Sequence, residues 1–226
     1  MHIAEYRILD YAVEVKVPIS WLSTGICAEI LNKPFHGLSH SELEHMLHKL
    51  FLAGDLIATY HVGEYGASFV PSPHIIATTL SGAANDKLQL SYGLTVQGGA
   101  RWEEVSNPHW DKYVDESYMV DTSDFPDPQE GQITANHRAL AEEYLAAVKQ
   151  YRSPVCCIVP GSEVWEILEP WSVTYWKSLR QGYRVRFLYT QEESYLSREE
   201  QQGSLEWAKR KSQWYTRWDD EQYESL

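Results

Sequence analysis

The sequence predicts an α+β chain in which two folded units flank an acidic, aromatic connector. Three observations predict it. Capped, amphipathic helical segments alternate with short β-rich segments. Of 226 residues, 43% are hydrophobic and 13% aromatic, enough core-forming material for one large or two small domains. The acid excess is also local. The chain carries 32 acidic and 19 basic side chains, net -13; residues 103–132 hold nine acids and one base, against nine and six in residues 1–102 and fourteen and twelve in residues 133–226. The expected organisation is therefore 1–105, an acidic aromatic connector 106–132, and a Trp-rich α/β unit 133–226.

This aromatic content excludes disorder for most of the chain, since a disordered segment has no core in which to bury rings. No stretch approaches the roughly 18 consecutive apolar residues of a membrane span. The N-terminus lacks the basic-then-apolar order of a signal peptide, so a cytoplasmic protein is expected. Cys27, Cys156 and Cys157 suit neither a disulfide framework nor a metal-ligand spacing, and read as reduced, buried thiols.

In the first unit, Ile3, Tyr6, Ile8, Leu9 and Val13 give a helical apolar pattern that Pro18 interrupts. Ser20 is placed to cap a second helix over 21–32, and Pro34 and Gly37 force a turn. The third helix has the strongest signal. Ser39 with Glu42 forms a capping box, and Leu43, Met46, Leu47, Leu50 and Phe51 follow at i, i+3, i+4, i+7 and i+8 until Gly54. Residues 55–62 and 88–95 have strand composition; between them Ser72 and Pro73 open a short helix through Leu80.

The connector 106–132 is rich in Pro, Asp, Ser and Tyr, yet its rings need something to pack on. Beyond it, Thr134 is expected to cap a helix that buries Leu140, Tyr144, Leu145 and Val148, followed by a short strand over 155–159. Pro170 then opens a helix to about Arg180, ending at Gly182. Tyr183, Val185, Phe187 and Tyr189 alternate with Arg184 and Arg186 as a strand, and a last helix covers about 199–218.

Two segments carry a family likeness: residues 38–58 (LSHSELEHMLHKLFLAGDLIA), and Tyr92-Gly93-Leu94-Thr95 with Gly98 or Gly99 and Trp102. With the order helix, helix, turn, helix, glycine, strand, strand, helix, residues 3–105 resemble the winged helix-turn-helix domain of the MarR and PadR groups of regulators. The resemblance implies a winged fold whose third helix enters the major groove of DNA. The chain departs from the family pattern in having a helix inserted where the wing is normally a tight hairpin.

The chemistry such a helix needs is sparse. Its outer face offers Ser41, Glu42, Glu44, His45, His48 and Lys49 and no arginine, whereas groove readers bring Arg or Lys to phosphates and Arg, Asn or Gln to bases. DNA is thus the less favoured partner. His40, Glu44 and His48 do not follow the His-Glu-x-x-His spacing, and the two histidines lie about 12 Å apart along the axis at 1.5 Å per residue. No metal, cofactor fingerprint, nucleophile elbow or phosphate loop is expected. Cys156 sits in an apolar strand, where desolvation disfavours a thiolate. Trp207, Lys211, Trp214 and Trp218 form one helical stripe, read as core or interface with the lysine stem along it. The alternative, a stacking surface for single-stranded nucleic acid using Lys209, Arg210, Lys211 and Arg217, is weakened by flanking acids.

The connector combines carboxylates with rings, the two ingredients of recognising a basic protein. Trp110, Asp111, Tyr113, Asp115, Glu116, Tyr118, Asp121 and Asp124 are the expected partner-binding residues. The competing reading is an acidic linker whose rings pack on its own units. The expected function is binding and inhibition of a basic partner, in the class of immunity proteins that neutralise a toxin such as a nuclease. A winged-helix regulator and an enzyme built from scattered residues follow in that order.

Overall fold

The computed structural model describes residues 1–60, 67–82, 90–117, 128–151, 157–190 and 197–216. It is a mixed α+β chain whose strand pairs are antiparallel. No described helix is long and apolar enough to cross a membrane. The chain divides into two compact units: Met1–Asn107 with Thr174–Lys177, and Pro108–Val173 with Ser178–Thr216.

Unit 1 begins with α1 (Ile3–Tyr11), β1 (Val17–Pro18), α2 (Ile19–Thr24), α3 (Ile26–Ile30) and α4 (His40–Leu52). The expected helix over 21–32 is in fact two short helices, because Gly25 adopts φ +75° and breaks the hydrogen-bond ladder where a residue with a Cβ would be strained. Pro18, not Ser20, occupies the N-cap of α2. In α4 the capping box forms as expected: Ser39 N–H donates to Glu42 Oε2 at 2.9 Å, and Glu42 N–H donates to Ser39 Oγ at 3.4 Å. Leu43, Leu47, Leu50 and Phe51 are buried along one face.

The unit continues with β2 (Leu56–Tyr60), β3 (Ser68–Phe69), α5 (Pro73–Leu80, capped by Ser72), β4 (Leu90–Leu94) and α6 (Val96–Ser106). The sheet order is β1-β4-β2-β3, with Leu56 opposite Leu94 and Tyr60 opposite Leu90. Gly98 and Gly99 lie in the first part of α6. A Cβ on Gly98 would collide with the Asp55 carbonyl, and one on Gly99 with the Trp176 indole. Glycine here lets a helix approach a backbone and a ring, and helix propensity is sacrificed to that approach.

The polar centre of unit 1 is buried. Asp55 is 0% and Glu5 is 4% exposed, and both carboxylates bind one guanidinium: Arg101 Nη2 donates to Glu5 at 2.6 Å and Nη1 to Asp55. Burial alone pushes the Glu5 carboxyl up, but the hydrogen bond and charge of Arg101, with Lys49 at 3.7 Å, outweigh it and hold Glu5 below the ordinary carboxylate value. A second buried acid, Asp10, binds Lys33 at 3.0 Å and accepts from Trp102 Nε1 at 2.9 Å. Residues Thr174–Lys177 complete the unit: Tyr175 Oη donates to the Ala12 carbonyl at 2.5 Å and accepts from Leu94 N–H at 2.6 Å, and Trp176 Nε1 donates to the Val13 carbonyl at 2.8 Å. Cys27 is a buried thiol whose titration burial pushes up to about 12, Lys33 opposing.

Unit 2 contains β5 (Val114–Ser117), β6 (Gln129–Ala135), α7 (Arg138–Tyr151), β7 (Cys157–Ile158), β8 (Val164–Leu168), β9 (Trp171–Ser172), β10 (Ser178–Leu179), β11 (Gly182–Thr190) and α8 (Arg198–Ser212). Its main sheet runs β5-β6-β11-β7, with β8 also on β11. Ile133, Val185, Phe187 and Tyr189 of one sheet face form a core with Ala141, Tyr144, Leu145 and Val148 of α7.

Three expectations fail here. Thr134 is not a helix cap; it lies inside β6, and α7 starts at Arg138. Residues 170–180 form no helix. Trp171 and Val173 are buried at period two, and the β-branched and aromatic run WSVTYW favours extended chain, giving β9 and β10 instead. The described parts of 106–132 are not a free linker: Val114–Ser117 pairs with 132–135 of β6. The alternating strand at 183–189 is β11, as expected; α8 stops at Ser212, so Trp214 follows the helix.

Two predictions follow from unit 1. Arg101→Met leaves the buried Asp55 without its guanidinium and Glu5 with the more distant Lys49, and should cost about 3–5 kcal/mol in a urea titration. A folded-state value below the unfolded one means that the contribution of Glu5 is present above its unfolded value and is lost as pH falls through the folded one. Stability should therefore drop on acidification through the carboxylate range, and melting temperatures measured against pH should show a shallower drop in Arg101→Met. Separately, Gly98→Ala should destabilise the protein by about 1–3 kcal/mol or more through overlap with the Asp55 carbonyl, read in the same titration.

Candidate functional site

The expected binding residues divide according to the period of two along β5. Val114 and Glu116 share one face with Ile133 and Val185; Asp115 shares the other with Thr134 and Arg184. Glu116 therefore points to the side covered by the helices, where its Oε1 accepts from Lys211 Nζ at 2.7 Å. Burial pushes the Asp115 carboxyl up, although Lys211 and Arg184 pull it down. Among the described acids of the group, Asp111 is the exposed one, its side chain 57% accessible.

The rings of the same segment face inward. Tyr113 is 7% exposed and Trp110 half-buried. Trp214 lies 4.8 Å from both, and Tyr215 lies 4.6 Å from Trp214. Trp171 joins at 6.4 Å from Tyr113, and His109 N–H donates to the Trp214 carbonyl at 2.6 Å. The structure thus brings Trp110 and Tyr113 together as an internal aromatic cluster. Tyr118, Asp121 and Asp124 lie outside the described residues.

A cleft of about 220 Å³ opens between α7 and α8 beside β5. It exists because both helices offer the same spacing: Tyr144, Ala147, Val148 and Tyr151 at i, i+3, i+4 and i+7 of α7, and Ser204, Trp207, Ala208 and Lys211 at the same intervals of α8. Gly203 admits the Tyr151 ring at the far end, where a Cβ would collide with it. The Glu116–Lys211 pair closes the near end. Trp207 meets Tyr144 edge to face at 5.0 Å, while the Arg210 guanidinium stacks 4.9 Å over the Trp207 ring and binds Glu143 with two hydrogen bonds of 2.7 and 3.0 Å.

Tyr144 is 4% exposed, and its hydroxyl is buried with no hydrogen-bond partner among the described residues. Burial pushes this phenol up to about 12, with the Glu116 charge adding, Arg210 opposing and Glu143 adding. It is therefore a neutral O–H donor near neutral pH. The sequence marks Trp207 and Lys211 as a stripe and Tyr144 as core, but does not bring them together. The available signal was the run of small residues Ala147, Gly203, Ser204 and Ala208 on the two helices, which leaves space between aromatic neighbours.

On unit 1, the outer face of α4 has already committed part of its chemistry. Glu42 closes the capping box and Lys49 reaches Glu5. Nearby, Ile26 and Ile30 are one turn apart on α3 and 39% and 60% exposed; Phe35, 45% exposed, lies against Gly25. In comparisons with protein-family models, curated proteins and solved structures, nothing matches this chain.

Trp214→Ala should cost about 3–5 kcal/mol, because Trp110, Tyr113 and Tyr215 lose their common neighbour. Asp111→Lys should leave the denaturation midpoint unchanged within about 0.5 kcal/mol. Urea titrations of the two variants separate the structural rings from the exposed acid.

Proposed function

We propose that this chain binds and inhibits a basic protein in the cytoplasm, in the manner of an immunity protein neutralising a toxin such as a nuclease. The observation that carries the reading is how the charges are paired. The sequence has 13 more acids than bases. Most described lysines and arginines are already held in ion pairs within the chain, including Lys33, Lys49, Arg101, Arg138, Lys149, Lys177, Arg184, Arg186, Arg210 and Lys211. Carboxylates such as Glu29, Glu104 and Asp111 stand exposed. A surface of this sign accelerates encounter with a basic partner and repels phosphate backbones. Exposed Ile26, Ile30 and Phe35 beside Glu29 add apolar area that contact with a partner would cover.

The winged-helix kinship is the second reading. It is supported by β1 between α1 and α2, by the capped α4 leading through Gly54 into β2, and by β4 lying between β1 and β2. The segment carrying β3 and α5 is then the insertion in the wing. A winged helix used for protein contact satisfies both readings, because fold does not dictate partner.

The test is titration of the chain with the purified basic product of a neighbouring gene at low and high salt, alongside duplex DNA from upstream of its own gene. The expected result is a sub-micromolar protein complex that weakens with salt and abolishes the partner's activity. Asp111→Lys with Glu104→Lys should slow association about tenfold at an unchanged melting temperature. Absence of any complex at low salt removes the inhibitor reading. Tight duplex binding that falls steeply with salt establishes the regulator in its place.

A further inference from the structure

The strap between α3 and α4 is folded inside out. Lys33, its side chain 7% accessible, and His36, 3% exposed, point inward, while Phe35 between them is 45% exposed. Burial ordinarily selects the reverse, a phenylalanine inside with a lysine and an imidazole outside. The inversion is fixed by hydrogen bonds at each position from 33 to 36. Lys33 Nζ binds the Asp10 carboxylate at 3.0 Å and donates to the Asp10 carbonyl at 2.6 Å. Tyr11 Oη donates to the Pro34 carbonyl at 2.5 Å, and Arg7 Nη1 to the Phe35 carbonyl at 2.7 Å. His36 uses both ring nitrogens: Nδ1 accepts from Leu38 N–H at 3.0 Å, which leaves Nε2 to donate to the Leu22 carbonyl at 2.9 Å.

Arg7, Asp10 and Tyr11 stand at i, i+3 and i+4 of α1, so one face of one helix ties three successive residues of the strap. The backbone so fixed holds the Phe35 ring against Gly25, the residue before Ile26. Ile26 and Ile30, 39% and 60% exposed, extend the apolar face along α3. Its charge has one sign. Glu29 is exposed beside Ile26 and Ile30 on α3, whereas Lys33 and Arg7, the bases that reach the strap, are bonded to Asp10 and to the Phe35 carbonyl. A second copy of this chain would bring the same acid and its own net charge of -13; a basic protein brings the opposite sign.

We infer that Phe35, with Ile26 and Ile30, is the anchor by which this chain holds a basic protein, the ring entering an apolar pocket of the partner while Glu29 meets a lysine or arginine at its rim. The inference rests on the inhibitor reading and adds which surface does the holding. A ring whose backbone is already tied down loses little freedom on docking, and that preorganisation converts its buried area into affinity.

The test is surface plasmon resonance of the full chain with the purified basic product of the neighbouring gene. Phe35→Ala should speed dissociation at least about tenfold and Ile30→Ala at least about threefold, each with association changed less than about twofold. That is the opposite pattern to Asp111→Lys with Glu104→Lys, which act on association. Melting temperatures of both variants should match the parent, since both side chains are exposed; if Phe35→Ala melts lower, Ile30→Ala alone decides. If the complex forms and the folded variants dissociate at the parent's rate, this inference is overturned and the inhibitor reading stands. If no complex forms at low salt, both fall. Sedimentation of the chain alone covers the remaining occupant: a dimer that Ile30→Asp dissociates assigns the face to a second copy and overturns the inference.

Discussion

Unit 1 depends on one guanidinium shared by two carboxylates that water does not reach. Removing Glu5 and Asp55 from water costs several kcal/mol per charge unless the interior supplies the lost interactions. Arg101 supplies them to both. Because Asp55 stands at the entry to β2, Arg101 on α6 and Glu5 on α1, the charge triad sets three elements against one another. The backbone around it follows. Thr95 N–H donates to the Asp55 carbonyl at 3.0 Å, its hydroxyl donates to the Gly54 carbonyl at 2.6 Å, and the first turn of α6 comes so close that a Cβ at Gly98 does not fit. A hydrophobic core alone would tolerate sliding of these helices; two buried carboxylates held to one guanidinium by directed hydrogen bonds do not.

The same economy of charge explains the surface. Bases are placed where an acid of the chain already needs them, as Lys33 is for Asp10 and Lys211 is for Glu116. What remains for solvent is mainly acidic. Net charge therefore reports on the surface more than on the interior, and it is the surface that a basic partner would meet.

The parts of the fold that were legible in sequence are those whose signals are local. The capping box at Ser39 and Glu42, the Ser72-Pro73 start of α5 and the alternation in β11 are each settled within one or two turns of chain. The parts that were not legible depend on remote neighbours. Pro170 followed by an aromatic run looks like a helix start until Trp171 and Val173 are seen buried as strand-like residues. Nothing local accounts for Gly98 and Gly99 inside a helix; the Asp55 carbonyl and the Trp176 ring against them do. For the candidate site, Glu116, Trp207 and Lys211 were each noticed, but as an exposed acid and a stripe; Tyr144 was assigned to the core.

By itself the sequence determined the α+β class, most of the helices of unit 1, the long strand of unit 2 and the sign of the surface, because helix caps, hydrophobic period and composition are properties of short stretches of chain. Tertiary structure alone decided which acids are exposed, which rings are internal and where a cleft opens. Strand register puts Glu116 and Asp115 on opposite faces, and helix packing brings Tyr144 to Trp207. Those are relations between residues far apart in the chain, and local periodicity does not encode them.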